Sequence, residues 1–423
     1  MPQVILCRFG ELFLKSGNRR RFEGILHRNM NVALSGLAGV RVEPVHGRVL
    51  VHVPDEATAE EAAVRLSRVF GLVSLSIATI TAPTMEAMYE VAVTLARKHK
   101  DATGAQRFKV VARRTNKTFP HRSLEIAAMV GGQIVTQVAL TVDVRKPELV
   151  VGVELTEKRA FVYAGNIMAP GGLPVGVSGR GLLLLSGGID SPVAGWLAAK
   201  RGLAIDAVYF HSPPYIGEKS RDKVLSLGRQ MARWQALETV TIINFTDIQK
   251  RLREAGAPEI AVILYRRMMM RIADAVADRR NADTLITGEN LGQVASQTIQ
   301  NLTVIESAAR RVVLRPLITY DKMETTAIAR RLGTLEISEL PFEDCCSLFV
   351  PHHPSTAARA VDADRAEAKL DLDAAIAEAI ATSETVVLGA VSKKEAKQAA
   401  RVAAKDAELR VQNAEGTPPV SAQ

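Results

Sequence analysis

Six consecutive residues, Ser186-Gly187-Gly188-Ile189-Asp190-Ser191, have the types and spacing to hold an anion at the start of a helix. They follow the apolar run 182–185 and precede Pro192 and the helix-forming stretch 193–200, which reads as buried strand, glycine turn and helix start, with Pro192 at the first helical position. The glycines let backbone N–H groups approach a ligand closely, and the free amides at a helix N-terminus favour negative charge. A phosphate group suits such a place. The hydroxyls of Ser186 and Ser191 add donors, and Asp190 is placed to hold a magnesium ion that bridges phosphate oxygens. The run has no lysine and the wrong spacing for G-x-x-x-x-G-K-[ST], and it is not the dinucleotide fingerprint G-x-G-x-x-G. A plain connector between a strand and a helix is the alternative reading.

The elements that must position this turn lie in a chain of 423 residues, enough for two or three domains, with 47% apolar residues to build their cores. No apolar run reaches the roughly 18 residues that span a bilayer, and no signal-peptide pattern opens the chain, so a cytoplasmic protein without a membrane partner is expected. The formal net charge of +9 points to a polyanionic partner. Basic residues gather in Arg19-Arg20-Arg21, in Arg97-Lys98-His99-Lys100 and between Arg107 and Lys117, all in the half away from the glycine turn. From these, Arg19, Arg20, Arg21, Lys109, Arg113, Arg114 and Lys117 are the candidates for nucleic-acid phosphates, against the alternative of solvated element faces.

Residues 3–9 read as a strand, followed by a helix with Phe22, Ile25, Leu26 and Met30 on one face. Residues 40–45 and 48–53 alternate around His46-Gly47 as a hairpin. Thr58 and Glu61 form a capping-box pair that opens a helix reaching about Val69. A strand over 72–80 closes a ferredoxin-like order. A helix from Thr84 to about Lys100, a strand over 108–113 and a helix carrying Leu124, Ala127, Ala128, Gly131, Val135 and Val138 come next. Residues 149–155 and 160–164 then pair across the turn 156–159. Glycines between 171 and 181 mark a connector. Beyond it, strands over 182–185, 204–210, 239–245 and 284–287 alternate with helices, which predicts a doubly wound parallel sheet with ligands at its carboxyl ends. From Ser355 a helical pattern runs to about Leu409, and residues 412–423 have a disordered composition. The expected division is 1–58, 59–166, a linker over 167–180, 181–395 and a tail over 396–423.

S-G-G-x-D-S resembles the signature of the PP-loop ATP pyrophosphatases, which cleave ATP between the alpha and beta phosphates and transfer AMP. The α-β-α-β-β order of the second segment resembles the THUMP domain, a module that recognises the acceptor end of tRNA. The stretch Gly10-Glu11-Leu12-Phe13-Leu14-Lys15-Ser16-Gly17-Asn18-Arg19 is similar to the N-terminal motif of one family that carries it. His211-Ser212-Pro213-Pro214, Arg266-Arg267-Met268-Met269, Thr287-Gly288-Glu289 and Leu291-Gly292-Gln293-Val294-Ala295-Ser296-Gln297-Thr298 follow in that family's order. Together they resemble the tRNA 4-thiouridine synthase (ThiI) family from about residue 3 to 390. The resemblance implies an α/β protein: ferredoxin-like and THUMP domains, then a doubly wound parallel-sheet PP-loop domain. It puts Leu184, Leu185, Tyr209, Phe210, Arg266, Gly288 and Gln297 at ATP-binding positions, although Leu184, Leu185 and Phe210 also suit an ordinary core. It further implies ATP and Mg2+, tRNA as substrate, 4-thiouridine as product (expected at position 8), a cysteine desulfurase as sulfur donor, a homodimer and a possible role in thiamine thiazole synthesis.

Of three cysteines, Cys7 reads as a buried structural thiol. The family resemblance gives Cys346 the sulfur-handling role, with Cys345 able to resolve a disulfide. No cysteine follows Cys346, so the C-terminal rhodanese-like domain of some members is expected to be missing. No C-x-x-C occurs, so no iron–sulfur cluster is expected. A zinc site from Cys345, Cys346, His352 and His353 departs from the usual spacings. Three rival readings are a PP-loop ligase acting on a small molecule, a non-catalytic sulfur carrier and an RNA-binding scaffold. The basic N-terminal half argues against the first, and the nucleotide motifs against the other two.

Overall fold

Gln3–Phe9 becomes strand β1 because both of its faces find a core: Ile5, Cys7 and Phe9 point to one cluster, Val4 and Leu6 to another. The computed structural model describes residues 2–11, 18–45, 47–255, 258–342 and 354–388. The chain divides into two compact units, Met1–Pro174 and Val175–Gln423. Among the described residues no helix is long and apolar enough to cross a membrane.

In the first unit β1 is followed by α1 (Arg19–Ala33), β2 (Arg41–Val45), β3 (Arg48–Val53), α2 (Glu56–Leu66) and β4 (Leu72–Thr81). α2 starts earlier than the Thr58–Glu61 pair predicts. Asp55 is its cap, accepting from the Thr58 N–H at 2.8 Å, while Glu61 pairs with Arg65 along the helix. The earlier start adds Glu56, Ala57 and Thr58 ahead of the buried stripe of Ala59, Ala62, Ala63 and Leu66. This motif packs on β1 and β3 and runs through β4, past residue 58.

β4 pairs with β1 over residues 72–79 and with β8 (Ala160–Ala164) over 78–81, so the next motif continues the same sheet. That motif comprises α3 (Met85–Thr103), β5 (Arg107–Arg114), α4 (Ser123–Val138), β6 (Thr141–Val142), β7 (Leu149–Leu155), β8 and β9 (Ile167–Met168). The sheet order is β2-β3-β1-β4-β8-β7-β5-β6, with β9 on β4. α4 is turned relative to the predicted face. It buries Ile126, Val130, Gly131, Ile134 and Val138, and leaves Leu124 85% and Val135 44% exposed. The sequence offers two apolar stripes there, and the one with the β-branched i, i+4 row faces the core.

Away from the helices this sheet carries a charged strip. Glu154 is buried and pairs with Arg8 at 2.8 Å and with Arg48, while the Arg8 guanidinium lies 4.9 Å over the Tyr163 ring. Tyr163 lies flat on Gly152, where any Cβ would meet its ring at about 2 Å. Burial and the neighbouring cations Arg8 and Arg113 press the Arg48 guanidinium below its usual range.

The second unit contains β10 (Arg180–Leu184), α5 (Asp190–Lys200), β11 (Ala204–His211), α6 (Glu218–Ala232), β12 (Thr239–Asn244), α7 (Thr246–Ala255) and α8 (Ala261–Arg280). β13 (Thr284–Ile286), α9 (Ile299–Glu306), β14 (Val313–Leu314), α10 (Lys322–Leu332), α11 (Leu335–Ser338), α12 (Ala360–Glu367), α13 (Leu372–Ala381) and β15 (Glu384–Val387) follow. The sheet order is β14-β13-β10-β11-β12-β15, parallel except for β15. From β10 the chain winds outward to β12 and then returns to β13 on the other side of β10. The switch point between β10 and β13 is where such sheets open a crevice at their carboxyl ends.

Four strands were not predicted: the two-residue β6 and β9 of the first unit, and β14 and β15 of the second. β14 has two residues, too few for a pattern. β15 interrupts the helical pattern expected from Ser355 to Leu409, because Thr385, Val386 and Val387 favour a strand and β12 offers a free edge. Residues beyond 388 lie outside the described ones, including the expected tail.

Replacing Glu154 by Ala leaves Arg8 and Arg48 facing each other without their shared carboxylate. Chemical denaturation should show a loss of about 3–5 kcal/mol; a change below about 1 kcal/mol would mean that water already solvates both guanidiniums.

Candidate active site

The loop after β10 is closed by its own serines. The Leu185 N–H still donates to the Val208 carbonyl of β11 at 2.9 Å, after which the chain turns. The Ser186 N–H donates to Ser191 Oγ at 2.9 Å, the two hydroxyls lie 3.1 Å apart, and the Gly188 N–H reaches Ser186 Oγ at 3.4 Å. Both hydroxyls therefore shape the loop. α5 begins at Asp190, so Pro192 is its third residue rather than its first. That position is still among the first four donors without an intrahelical partner, and proline loses nothing there.

Gly288, one residue beyond the pair Ile286-Thr287, presses on the first turn of α5. A Cβ at this position would stand 2.6 Å from the Ser191 nitrogen and 2.8 Å from the Asp190 carbonyl carbon. Only glycine permits that approach.

A cavity opens at this switch point. Leu184, Leu185, Ser186, Gly188, Asp190, Ser191, Tyr209, Phe210, Arg266, Gly288 and Gln297 all line it, and Gly187 alone of the predicted set does not. Met269, Met270, Thr287 and Glu289 also line it and were not predicted. Leu184, Phe210, Met269 and Met270 make an apolar side that suits a flat base, with Phe210 fixed edge-on against Phe245 at 5.2 Å between centroids. The loop, Arg266 and Gln297 make a polar side. The Gln297 side-chain oxygen accepts weakly from the Asn290 N–H at 3.4 Å, and its main-chain oxygen accepts from Gly292 at 2.8 Å. Arg266 Nη1 donates to Glu289 Oε1 at 2.7 Å, and its Nε is buried without a partner. The adjacent Arg267 turns the other way, into Glu367 and Asp364 of α12.

Asp190 is engaged by residues that local reading missed. Lys322 Nζ stands 2.9 and 3.2 Å from its two oxygens, and Gln293 Nε2 donates to Oδ2 at 3.0 Å. Lys322 opens α10, which is capped by Asp321 and Glu324 and held along α5 by Arg331 over the Trp196 ring at 4.8 Å. The capping box was visible as D-x-x-E; the packing that brings Lys322 to Asp190 was not.

The carboxylates lining the cavity are those of Asp190 and Glu289. Glu289 is fully engaged, since Oε2 accepts from Arg315 Nε at 2.8 Å and from Thr287 Oγ1 at 2.9 Å. Asp190 is the more open of the two, its side chain 21% exposed against 4% for Glu289, and no cluster of three or more metal-ligating side chains occurs among the described residues. That fits an ion taking most of its ligands from phosphate and water.

Cys345, Cys346, His352 and His353 lie outside the described residues. The chain leading to them is anchored: Ser338 Oγ donates to the Gly188 carbonyl at 3.3 Å, and Lys223 Nζ donates to the Leu340 carbonyl at 2.8 Å and to that of Phe342 at 3.4 Å. Cys7 is buried in β1 and its thiol is pushed up to about 12 by that burial, which makes it inert.

In the first unit Arg20 and Arg21 are exposed on α1, whereas Arg19 pairs with Glu23 at 2.8 Å. Lys109 and Arg113 alternate with Phe108, Val110 and Ala112, which pack on the helices, so they belong to the sheet's other face. Arg114 staples its own loop through the Lys117 and Phe119 carbonyls, and Lys117 is exposed. Arg8 and Arg48 on the same sheet face were missed, although their alternation with the core residues Cys7 and Val49 was visible.

Residues 176–372 match the family profile described as thiamine biosynthesis protein (ThiI), residues 4–76 the ThiI ferredoxin-like domain and residues 82–164 the THUMP domain. A probable tRNA sulfurtransferase of Caldanaerobacter subterraneus subsp. tengcongensis is 44% identical over 372 residues, covering 88% of this chain and 96% of the relative. Another, from Moorella thermoacetica, is 44% identical over 389 residues, covering 92% and 98%. The crystal structure of a 4-thiouridine synthetase–RNA complex with bound ATP superposes with a TM-score of 0.83 at 34% identity, covering 92% of this chain and 100% of that one.

The two glycines of the site should separate in a melting experiment. Gly288→Ala forces backbone apart and should cost about 1–3 kcal/mol. Gly188→Ala, whose Cβ would find only Ser186 Oγ at 3.6 Å, should leave stability nearly unchanged. Equal losses would show that the contact of Gly288 with α5 yields easily.

Proposed function

Because the chain belongs to the ThiI family, we propose that it is an ATP-dependent tRNA sulfurtransferase that makes 4-thiouridine. The observation carrying this reading is the cavity where an apolar side, the Ser186–Ser191 loop and Arg266 converge at the sheet's switch point. The curated relatives are named for this sulfur transfer, and the 4-thiouridine synthetase of similar fold was solved with both RNA and ATP.

The uridine C4 oxygen is a poor leaving group, and attaching AMP to it makes it a good one. In this reading the base of ATP lies between Leu184, Phe210 and the two methionines, and its phosphates lie against the loop amides. Those amides and Arg266 stabilise the charge that develops at the alpha phosphate as pyrophosphate leaves. Asp190 would hold a magnesium ion, which would supply further charge neutralisation there. Lys322 pairs with both oxygens of the Asp190 carboxylate and so fixes its orientation.

The terminal sulfur of a persulfide on Cys346, loaded by a cysteine desulfurase, then attacks C4 and displaces AMP. The Cys345 thiol breaks the resulting mixed disulfide, releasing 4-thiouridine and leaving a Cys345–Cys346 disulfide for an external thiol to reduce. Arg20, Arg21, Lys109, Arg113 and Lys117 contact tRNA phosphates, so binding weakens steeply with salt. A sulfur relay to thiamine thiazole would use the same cysteine, and the description of the matching family profile supports it as a second product.

Asp190→Ala should keep tRNA affinity within about twofold and lose about 100-fold or more in tRNA-stimulated pyrophosphate release; normal release would refute the role given to Asp190. Cys346→Ser should still form AMP but yield no 4-thiouridine in cellular tRNA. Full thiolation by that variant would move the sulfur chemistry elsewhere.

A further inference from the structure

A carboxylate on the wall of a cavity that takes a triphosphate is an electrostatic conflict, and Glu289 is 3% exposed there. Its oxygens are spoken for: Oε1 by Arg266 Nη1 at 2.7 Å, Oε2 by Arg315 Nε at 2.8 Å and Thr287 Oγ1 at 2.9 Å. Arg315 in turn reaches Glu306 through Nη1 at 2.6 Å. Two guanidiniums and a hydroxyl thus commit the Glu289 carboxylate to the protein itself. What it controls is Arg266. One edge of that guanidinium is tied down, while its Nε remains a buried donor without an acceptor beside the cavity. A long arginine side chain held in one rotamer loses little entropy when a ligand oxygen completes its bonding, and a preoriented donor stabilises developing charge best.

We propose that Glu289 is a positioning residue for the nucleotide: it fixes Arg266 toward the phosphates, and Arg315 and Thr287 hold Glu289 in place. The inference rests on the reading of the cavity as an ATP site. The rival account is purely structural, in which Glu289 only ties the end of β13 to Arg315, the residue after β14, and Arg266 acts without it.

A double-mutant cycle on the full chain separates the two. Magnesium–ATP binding is measured by calorimetry for the wild type, Arg266→Ala, Glu289→Gln and the double variant, with melting temperatures alongside. Each single variant should bind about 10-fold more weakly or worse, and the double variant no more than about twofold below Arg266→Ala, since Glu289 then has nothing left to position. Losses that multiply would overturn the proposal, because Glu289 would be acting independently of Arg266. Should Glu289→Gln melt below the assay temperature, Thr287→Val takes its place in the cycle. It removes one of the bonds holding Glu289 and should weaken binding about threefold in the wild type and not at all in Arg266→Ala; an equal loss in both backgrounds counts against the proposal. A wild type that fails to bind magnesium–ATP would overturn the nucleotide reading itself, whereas multiplying losses in a binding protein overturn only this role.

Discussion

The carboxyl end of the parallel sheet is organised by backbone meeting backbone. Gly288, leaving β13, lies so close to the first turn of α5 that a single carbon would collide with the Ser191 nitrogen. This contact sets the width of the switch point. It brings the loop after β10 and the segment after β13 to one cavity, with Asp190 and Glu289 on its walls. Gly288 thus acts by what it lacks, and the glycine that the family resemblance puts at an ATP-binding position is needed for packing before any ligand arrives.

Charge within the unit is arranged in pairs that each leave something over. Lys322 and Gln293 orient Asp190 without burying it completely. Glu289 holds two arginines and leaves donors on each unfilled. The neighbouring Arg267 is consumed by Glu367, so that of two consecutive arginines on α8 one faces the cavity and the other bolts α12 in place. The same economy recurs in the first unit, where buried Glu154 supports Arg8 and Arg48 on an otherwise basic sheet face.

The parts of this arrangement that were legible in the sequence are those made within one turn of chain. Strand, glycine loop and helix start occupy residues 180–200, and their apolar runs and punctuation could be read directly. The parallel strands were legible because each is a short apolar run between helical patterns. The family motifs added Arg266, Gly288 and Gln297, which composition and periodicity could not have singled out. What escaped was decided at a distance or by competition. Lys322 meets Asp190 across 132 residues, and Arg315 meets Glu289 across 26. α4 offered two apolar stripes, α2 two possible caps, and β15 was hidden in alanine-rich chain whose strand character depends on the edge of β12.

The central claim is that the cavity activates an RNA base with ATP, so the most direct measurement follows labelled ATP to AMP with purified protein, magnesium and an unmodified tRNA transcript. The account predicts AMP and pyrophosphate in the presence of that transcript, and little of either without RNA or with tRNA already carrying 4-thiouridine. AMP formed at the same rate whether or not RNA is present would contradict it.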